Sequence, residues 1–141
     1  RQRLVVIKKL QEELKILKGR TVGLMGLSFK PDTDDLRDAP AITIAYQLLK
    51  MGASVKAYDP VANDRAKHLH PNLEITYCAN VDELASGTDA LVLVTEWKEF
   101  QNLDWKKLGK AMRWPLLIDG RNVLNEDEIG KAGLTYVGVG H

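Results

Sequence analysis

Residues 21–40 read TVGLMGLSFKPDTDDLRDAP, and this stretch decides how the chain is expected to fold. The apolar run Thr21–Leu27 predicts a β-strand, and Pro40 opens a periodic apolar segment that predicts a helix ending near Met51. About a dozen mostly polar residues lie between them, whereas a strand-to-helix connection usually has about two to six. A connection this long predicts a loop that binds something.

Outward from this stretch, short apolar runs alternate with helical segments. Strands are predicted at Thr21–Leu27, Ser54–Tyr58, Glu74–Tyr77, Ala90–Thr95, Pro115–Ile118 and Thr135–Val139. Helices are predicted at Pro40–Met51, Asn63–Leu69, Val81–Ala85, Trp105–Met112 and Glu126–Ala132. Nearly unbroken apolar strands that alternate with helices are typical of a parallel sheet covered on both faces. We therefore expect an α/β fold with a Rossmann-like, doubly wound and mainly parallel sheet of about six strands, helices on both faces, and a preceding N-terminal helix.

The segment before Gly19 predicts that N-terminal helix. Its apolar residues fall at positions 4, 7, 10, 14 and 17, with Lys and Glu between them, which is the spacing of a helix with one apolar face. Two interpretations are equally favoured: the end of a longer helix that links this domain to another, or a helix packed on the domain's own sheet. We divide the chain into residues 1–18, this helix, and residues 19–141, a single domain.

Three polar residues are predicted to cap the later helices. Asp38 precedes the helix that contains Pro40, Asp104 precedes Trp105, and Asn125 precedes the last predicted helix. Each carries a side-chain oxygen that can accept a hydrogen bond from a backbone N–H of the first helical turn. Capping at these positions would fix where the three helices begin.

The composition excludes several classes of protein. The 141 residues include 20 Lys and Arg against 19 Asp and Glu, a formal charge of +1, so bulk electrostatics favour neither a nucleic acid nor a membrane as partner. Cys78 is the single cysteine, and no His and Cys spacing is typical of a metal site. We expect a cytoplasmic, reducing location and no metal. Because the chain is too short for a cofactor domain plus a substrate domain and does not begin with Met, we expect a piece of a longer protein.

The long loop holds the first candidate binding residues. Phe29 and Lys30 follow the first strand, whose carboxyl end borders the crevice where doubly wound sheets bind ligands. The ring can pack against a base or sugar, and the ammonium can meet a phosphate or carboxylate. Arg37 lies near the start of the next helix, where its guanidinium could hold a pyrophosphate. The alternative, slightly favoured by the residues alone, is that Lys30 and Arg37 only neutralise the loop's aspartates, which are Asp32, Asp34, Asp35 and Asp38.

A second candidate is Arg121, in the segment IDGRN at the end of the fifth predicted strand. Arg121 would lie at the same edge of the sheet as Lys30, because parallel strands end at one edge. Two cations at one edge indicate an anionic ligand. Trp97 and Phe100, which follow the fourth strand, are interpreted as packing residues that cover this edge.

The usual dinucleotide fingerprint is incomplete. Gly23 and Gly26 supply two of its glycines, the third is absent, and the helix starts late, so this sheet is not expected to bind NAD in the ordinary Rossmann manner. Asp59 ends the second strand, where it is equally compatible with a ribose-binding acid and with a turn residue before Pro60.

No catalytic set is found in the sequence. The histidines are scattered, at His68, His70 and His141. No sequence feature supplies a base to Cys78, which is interpreted as a buried, inert thiol. The residues therefore indicate ligand binding without a reaction centre.

Four motifs, in order along the chain, carry a resemblance to a known family. They are GLSFKPDTDDLRDAP at residues 26–40, AYDP at 57–60, VTEWKEF at 94–100 and IDGRN at 118–122. Together they resemble the C-terminal domain of the UDP-glucose/GDP-mannose dehydrogenase family, in the branch that oxidises UDP-glucose. The resemblance covers nearly the whole chain, from about Gly19 to Gly140.

The resemblance implies a full-length enzyme that oxidises the C6 alcohol of UDP-glucose to the carboxylate of UDP-glucuronate in two NAD-dependent steps. NAD would be bound mainly by an N-terminal domain, and a central helical region would carry the catalytic cysteine. Carried over by motif, Phe29 and Lys30 would contact the UDP-sugar, Arg121 would bind its uridine diphosphate part, and Arg37 would reach across to NAD. Residues 1–18 would end the helix that links the two halves and helps to form a homodimer.

The family's catalytic cysteine lies in a Gly-rich Cys-Pro-Lys-Asp context that this chain lacks, so the chain alone is expected to be inactive. Three alternatives stay open. The domain could belong to a dehydrogenase of another nucleotide sugar, such as UDP-N-acetylmannosamine or GDP-mannose. It could be a stand-alone nucleotide-binding module, or a complete small oxidoreductase, although the latter would need its own fingerprint and catalytic residue.

Overall fold

The computed structural model describes residues 2–140. Arg1 and His141, which close the predicted ranges 1–18 and 19–141, lie outside the described residues. Within residues 2–140, no helix combines the length and the apolar composition needed to cross a bilayer.

Within residues 2–140, six strands and five α-helices alternate after the first helix. The strands are β1 Thr21–Met25, β2 Ser54–Tyr58, β3 Thr76–Tyr77, β4 Ala90–Leu93, β5 Leu116–Asp119 and β6 Thr135–Gly138. The helices are α1 Gln2–Leu14, α2 Pro40–Lys50, α3 Asn63–Leu69, α4 Val81–Ala85, α5 Trp105–Ala111 and α6 Glu126–Lys131, and a 3₁₀ turn covers Lys98–Gln101. The predicted order of elements is confirmed, with several bounds shorter than predicted.

The strands form one sheet in the order β3-β2-β1-β4-β5-β6, and every neighbouring pair is parallel. The apolar side chains of α2 and α3 pack on one face of this sheet, and those of α4, α5 and α6 pack on the other. This is the doubly wound arrangement in which the direction of winding reverses between β1 and β4. The predicted fold class is confirmed.

Helix α1 lies on the same face as α2. Its residues Val6, Leu10 and Leu14 are buried in the core cluster that also contains residues of α2 and β5, whereas Leu4 is 73% exposed. Residues 2–14 therefore pack on the domain's own sheet, and a continuation into a helix that links two domains stays a prediction. The α2 and α3 crossovers leave the β5 side of this face open, and α1 covers it.

Two of the three predicted caps are confirmed. The side chains of Asp104 and Asn125 accept hydrogen bonds from the backbone N–H groups of Lys107 and Glu128. The prediction for Asp38 is wrong: Ala39 occupies the capping position, without a side-chain hydrogen bond. Asp38 has a φ of 55°, a left-handed conformation, whereas a capping residue usually has extended backbone.

Candidate functional site

Because all six strands are parallel, their carboxyl ends meet at one edge of the sheet, and ligands of such folds bind there near the reversal of strand order. The loop of residues 26–39 follows β1 at this edge. Residues 94–97 follow β4, and the loop of residues 120–125 follows β5. Strand β1 lies between β2 and β4, so the first of these loops stands at the centre of the edge.

The loop of residues 26–39 starts against the end of β4. Gly26 has a φ of 100°, and a Cβ added to it would lie 2.5 Å from the Cβ of Thr95. The hydroxyl of Thr95 donates a 2.6 Å hydrogen bond to the carbonyl of Ser28. Only glycine allows both this backbone conformation and this approach, so Gly26 and Thr95 fix the direction in which the loop leaves the sheet.

Asp59 holds the same loop from the other side. Its carboxylate is buried, and it accepts hydrogen bonds from the backbone N–H groups of Leu27, Ser28, Val61 and Ala62, the Ser28 hydroxyl and the Trp97 indole N–H. Both carboxylate oxygens are therefore engaged within the protein. Of the two interpretations of Asp59, the turn residue describes the structure, and its carboxylate is not available to a ribose.

Trp97 closes the crevice in which an ordinary Rossmann sheet would take a dinucleotide. Its indole N–H lies 3.1 Å from the Asp59 carboxylate, so a side chain that follows β4 reaches past the end of β1 to the end of β2. Trp97 and Phe100 are both buried, in agreement with their interpretation as packing residues. With Asp59 engaged and Trp97 across the strand ends, these residues do not fit NAD bound in the ordinary manner.

Outside this sealed edge, the loop of residues 26–39 forms an open cavity of about 320 Å³. The cavity is lined by Phe29, Lys30, Asp35, Arg37 and Asp38. Phe29 is 50% exposed, so its ring is accessible at the cavity. Three of the four residues selected from the sequence are thus brought to one cavity, with an aromatic face, an ammonium and a guanidinium.

The charges of this cavity are partly paired. The Arg37 guanidinium, 88% exposed, donates to the Asp35 carboxylate at 2.9 Å, and this hydrogen bond lowers the pKa of Asp35 to about 2 and raises that of Arg37. Within residues 2–140, the Lys30 ammonium makes no ion pair or side-chain hydrogen bond. Within residues 2–140, a loop aspartate therefore pairs with Arg37, as the alternative interpretation predicts, but none pairs with Lys30.

Arg121 does not line this cavity but lies on the neighbouring loop. Its Nε and Nη2 donate to one oxygen of Glu96, at 3.1 and 2.9 Å, and its backbone N–H donates to Asp119. Sequence reasoning missed Glu96 as the partner of Arg121. The position of Glu96 shortly after β4 could have indicated this pair. The signal requires the knowledge that β4 lies beside β5, which the sequence does not give.

Asp119 organises its loop as Asp59 organises the other. This buried carboxylate accepts hydrogen bonds from the N–H groups of Arg121 and Leu124 and from the Tyr136 hydroxyl. Burial, with the hydrogen bond to Asp119, raises the pKa of Tyr136 above its usual value. The side-chain oxygen of Asn122 accepts from the N–H groups of Val139 and Gly140, which ties the loop to the end of β6.

Cys78 is buried, and burial raises the pKa of its thiol, so it has the properties of an inert packing residue rather than a nucleophile. Among residues 2–140, no group of three His, Cys, Asp or Glu side chains is placed to hold a metal ion. The arrangement at the sheet edge has the chemistry to bind an anionic ligand with an apolar part.

The strand order and the site at its switch point define a Rossmann-like α/β domain. A model described as "UDP-glucose/GDP-mannose dehydrogenase family, UDP binding domain" matches residues 23–126, and the chain belongs to this family. The family indicated by the four sequence motifs is thereby confirmed.

Curated and solved relatives agree with this assignment. A UDP-glucose 6-dehydrogenase of Pseudomonas aeruginosa is 45% identical over 128 residues, covering 86% of this chain and 28% of the relative. A solved UDP-glucose dehydrogenase of Pyrobaculum islandicum has a TM-score of 0.81 at 30% identity, covering 98% of this chain and 29% of that one. An NDP-N-acetyl-D-galactosaminuronic acid dehydrogenase of Methanosarcina mazei has a TM-score of 0.79 at 28% identity, with coverage of 99% and 28%. The chain thus spans less than a third of the length of these relatives.

Proposed function

We propose that this chain is the UDP-sugar-binding domain of an NAD-dependent UDP-glucose 6-dehydrogenase, which oxidises UDP-glucose to UDP-glucuronate in two hydride-transfer steps. The observation that carries the proposal is the half-exposed Phe29 beside the Lys30 ammonium, which makes no ion pair within residues 2–140, in a cavity at the switch point of the sheet. The match of residues 23–126 to the family's UDP binding domain supports the proposal. The similarity to the Pseudomonas aeruginosa enzyme supports it as well.

The two cations have separate proposed roles. Lys30 is a flexible point charge, suited to a phosphate or to a sugar hydroxyl close by. Arg121 offers a planar guanidinium, which matches the oxygens of a diphosphate. The Phe29 ring supplies an apolar face for the base or the sugar. Together these three side chains would bind the uridine diphosphate part and the sugar of the ligand.

NAD is proposed to lie mainly on another domain. Among the described residues, the Asp59 carboxylate is engaged within the protein and Trp97 bonds to it across the strand ends, so no step of hydride transfer is assigned to them. Arg37, which is highly exposed at the rim of the cavity, is proposed to reach a cofactor held across a cleft. The catalytic cysteine, a central helical region and a homodimer partner would likewise belong to the longer protein.

A second candidate function is the same role for a different nucleotide sugar. The Methanosarcina mazei NDP-N-acetyl-D-galactosaminuronic acid dehydrogenase shares the fold at 28% identity. The cavity residues Phe29 and Lys30 could serve either sugar, because neither side chain reads a particular hydroxyl pattern.

The first test is calorimetric titration of this chain with UDP, UDP-glucose, GDP-mannose and NAD. We expect UDP and UDP-glucose to bind, and GDP-mannose and NAD not to bind. Lys30→Ala and Arg121→Ala should each weaken UDP binding by about 1–3 kcal/mol, the cost of losing a charge-assisted contact. Lys50→Ala is the matched control, because Lys50 is an exposed lysine in the last turn of α2. Unchanged affinity in both site variants would contradict the assignment, and binding of NAD alone would contradict the proposed domain.

A further inference from the structure

We propose that Glu96 is a positioning residue that holds Arg121 in the orientation needed by the ligand's diphosphate. The inference rests on the proposed function, since it deepens the role of Arg121. It starts from the pair described above, in which Nε and Nη2 of Arg121 both donate to Oε2 of Glu96.

Hydrogen bonds hold both the backbone N–H and the guanidinium of Arg121. At one end, the backbone N–H of Arg121 is held by Asp119 at 3.0 Å. At the other, two donors converge on one carboxylate oxygen, which sets the plane of the guanidinium as a single contact would not. An arginine held at both ends has already lost the rotamer freedom that a mobile side chain loses on binding.

The pair is not a fully buried structural ion pair. The side chains of Arg121 and Glu96 remain 34% and 25% exposed, so a ligand at the sheet edge can still reach the guanidinium. Glu96 follows β4 and Arg121 follows β5, adjacent strands whose carboxyl ends form the binding edge. The pair therefore lies where an anion would be bound, and its two members come from separate loops.

The second oxygen of Glu96 supports a role beyond pairing. Oε1 is buried and has no hydrogen-bond partner within residues 2–140. A buried carboxylate oxygen without a donor is uncommon in native structures and costs free energy. Glu96 therefore contributes less to stability than a carboxylate with both oxygens hydrogen-bonded. We infer that the orientation it gives to Arg121 compensates for this cost.

Two physical effects of Glu96 on anion binding have opposite signs. Its negative charge near a diphosphate repels the ligand, so removal of the charge alone would tighten binding. Its hold on Arg121 lowers the entropy lost on binding, so removal of the hold would weaken binding. The sign of the change in affinity therefore separates positioning from simple charge neutralisation.

The test is calorimetric titration of the chain with UDP, comparing the unchanged protein with Glu96→Ala, Glu96→Gln, Arg121→Ala and the double variant. Positioning predicts that Glu96→Ala weakens UDP binding about 3- to 10-fold, in the range expected for one ordered side chain. Glu96→Gln keeps an oxygen acceptor for Arg121 and should restore most of the affinity. In the Arg121→Ala background, Glu96→Ala should change the affinity less than twofold, because a residue that acts through another is fully non-additive with it.

Glu99→Ala is the matched control. It removes the same charge three residues further on, and the Glu99 carboxylate accepts from the Tyr58 hydroxyl rather than from Arg121. No weakening of UDP binding is expected from it. Melting temperatures of all variants, measured in the absence of UDP, show whether any change in affinity follows merely from lost folding stability.

The outcomes distinguish this inference from the proposed function. Equal or tighter UDP binding by Glu96→Ala, with weaker binding by Arg121→Ala, would overturn the positioning role and leave the proposed function intact. Equal weakening by Glu96→Ala with and without Arg121 would also overturn it, because Glu96 would then act independently. Absence of UDP binding by the unchanged chain would overturn both.

Discussion

The loops of residues 26–39 and 120–125 bring cations to the same edge of the sheet but hold them in different ways. In the shorter loop, the buried Asp119 accepts three hydrogen bonds, and Arg121 is fixed by Glu96. In the longer loop, the buried anchor Asp59 holds only the first residues. Beyond them, Arg37 is paired with Asp35 in the solvent, and Lys30 extends into the open cavity.

The difference separates preorganisation from adaptability. A side chain fixed before binding loses little entropy when the ligand arrives, whereas an exposed one can follow ligands of different shape at a greater entropic cost. On this view the short loop would recognise the constant diphosphate. The long loop would adjust to the sugar and to a second domain. The contrast predicts unequal effects of substitutions in the two loops.

The largest effect is expected at the anchor of the short loop. Asp119→Ala would leave the N–H groups of Arg121 and Leu124 and the Tyr136 hydroxyl without their acceptor, so we expect a loss of about 2–4 kcal/mol in the free energy of unfolding. Urea denaturation measures this loss. Asp34→Ala is the control in the long loop, where the exposed side chain should matter by less than about 0.5 kcal/mol. Similar losses in both variants would contradict the contrast between the loops.

An intermediate effect is expected at the base of the long loop. Gly26→Ala would combine an unfavourable positive φ with a Cβ only 2.5 Å from Thr95, and we expect a loss of about 2–3 kcal/mol. Gly19→Ala isolates the first cost, because Gly19 also has a positive φ, of 82°, but no atom lies within 4 Å of an added Cβ. Its loss should be nearer to about 1 kcal/mol. If thermal or urea unfolding showed a larger loss of stability for Gly19→Ala than for Gly26→Ala, the contact with Thr95 would have relaxed in the variant.

The smallest effect is expected at the exposed pair of the long loop. The hydrogen bond from Arg37 lowers the pKa of Asp35 from an ordinary 3.8 to about 2. Because the folded pKa is the lower one, the stabilising contribution is present above about pH 4 and is lost as the pH falls towards 2. An NMR titration of the carboxyl carbon measures this pKa, which Arg37→Ala should raise towards 3.8. Arg65→Ala, at an exposed arginine of α3, should leave it unchanged, and an Asp35 that titrates near 3.8 in the unchanged chain would exclude the pair.

The sequence predicts the fold well because apolar periodicity reports burial directly. For the same reason, the sequence pattern predicts ends for β1 and α1, at Leu27 and Leu17, that lie beyond the observed ends at Met25 and Leu14. Leu27 and Leu17 are both buried, but Leu27 has left the strand, where its N–H donates to Asp59. Leu17 lies beyond Lys15, whose φ of 68° ends the helix. Burial continues past the end of an element, so the pattern alone cannot place the last residue.

The candidate site is predictable only in part. Phe29, Lys30 and Arg37 lie on one loop, so their common cavity could be expected from local sequence. The bonds from Trp97 to Asp59 and from Arg121 to Glu96 join loops that are distant in the chain. They depend on which strands are neighbours, and the alternation of strands and helices does not specify that order.

The position of β1 next to β4 also has a consequence for how the protein folds. All other neighbouring strands are consecutive in the chain, whereas this pair joins residue 22 to residue 90. Closing so long a segment costs more chain entropy than the local crossovers, so we expect the two halves of the sheet to join late on the folding pathway. The bonds from Thr95 to Ser28 and from Trp97 to Asp59 cross this same seam. We therefore expect the loops that carry Lys30 and Arg121 to meet only in this late docking step, so that the protein would acquire its complete binding edge and its finished fold together.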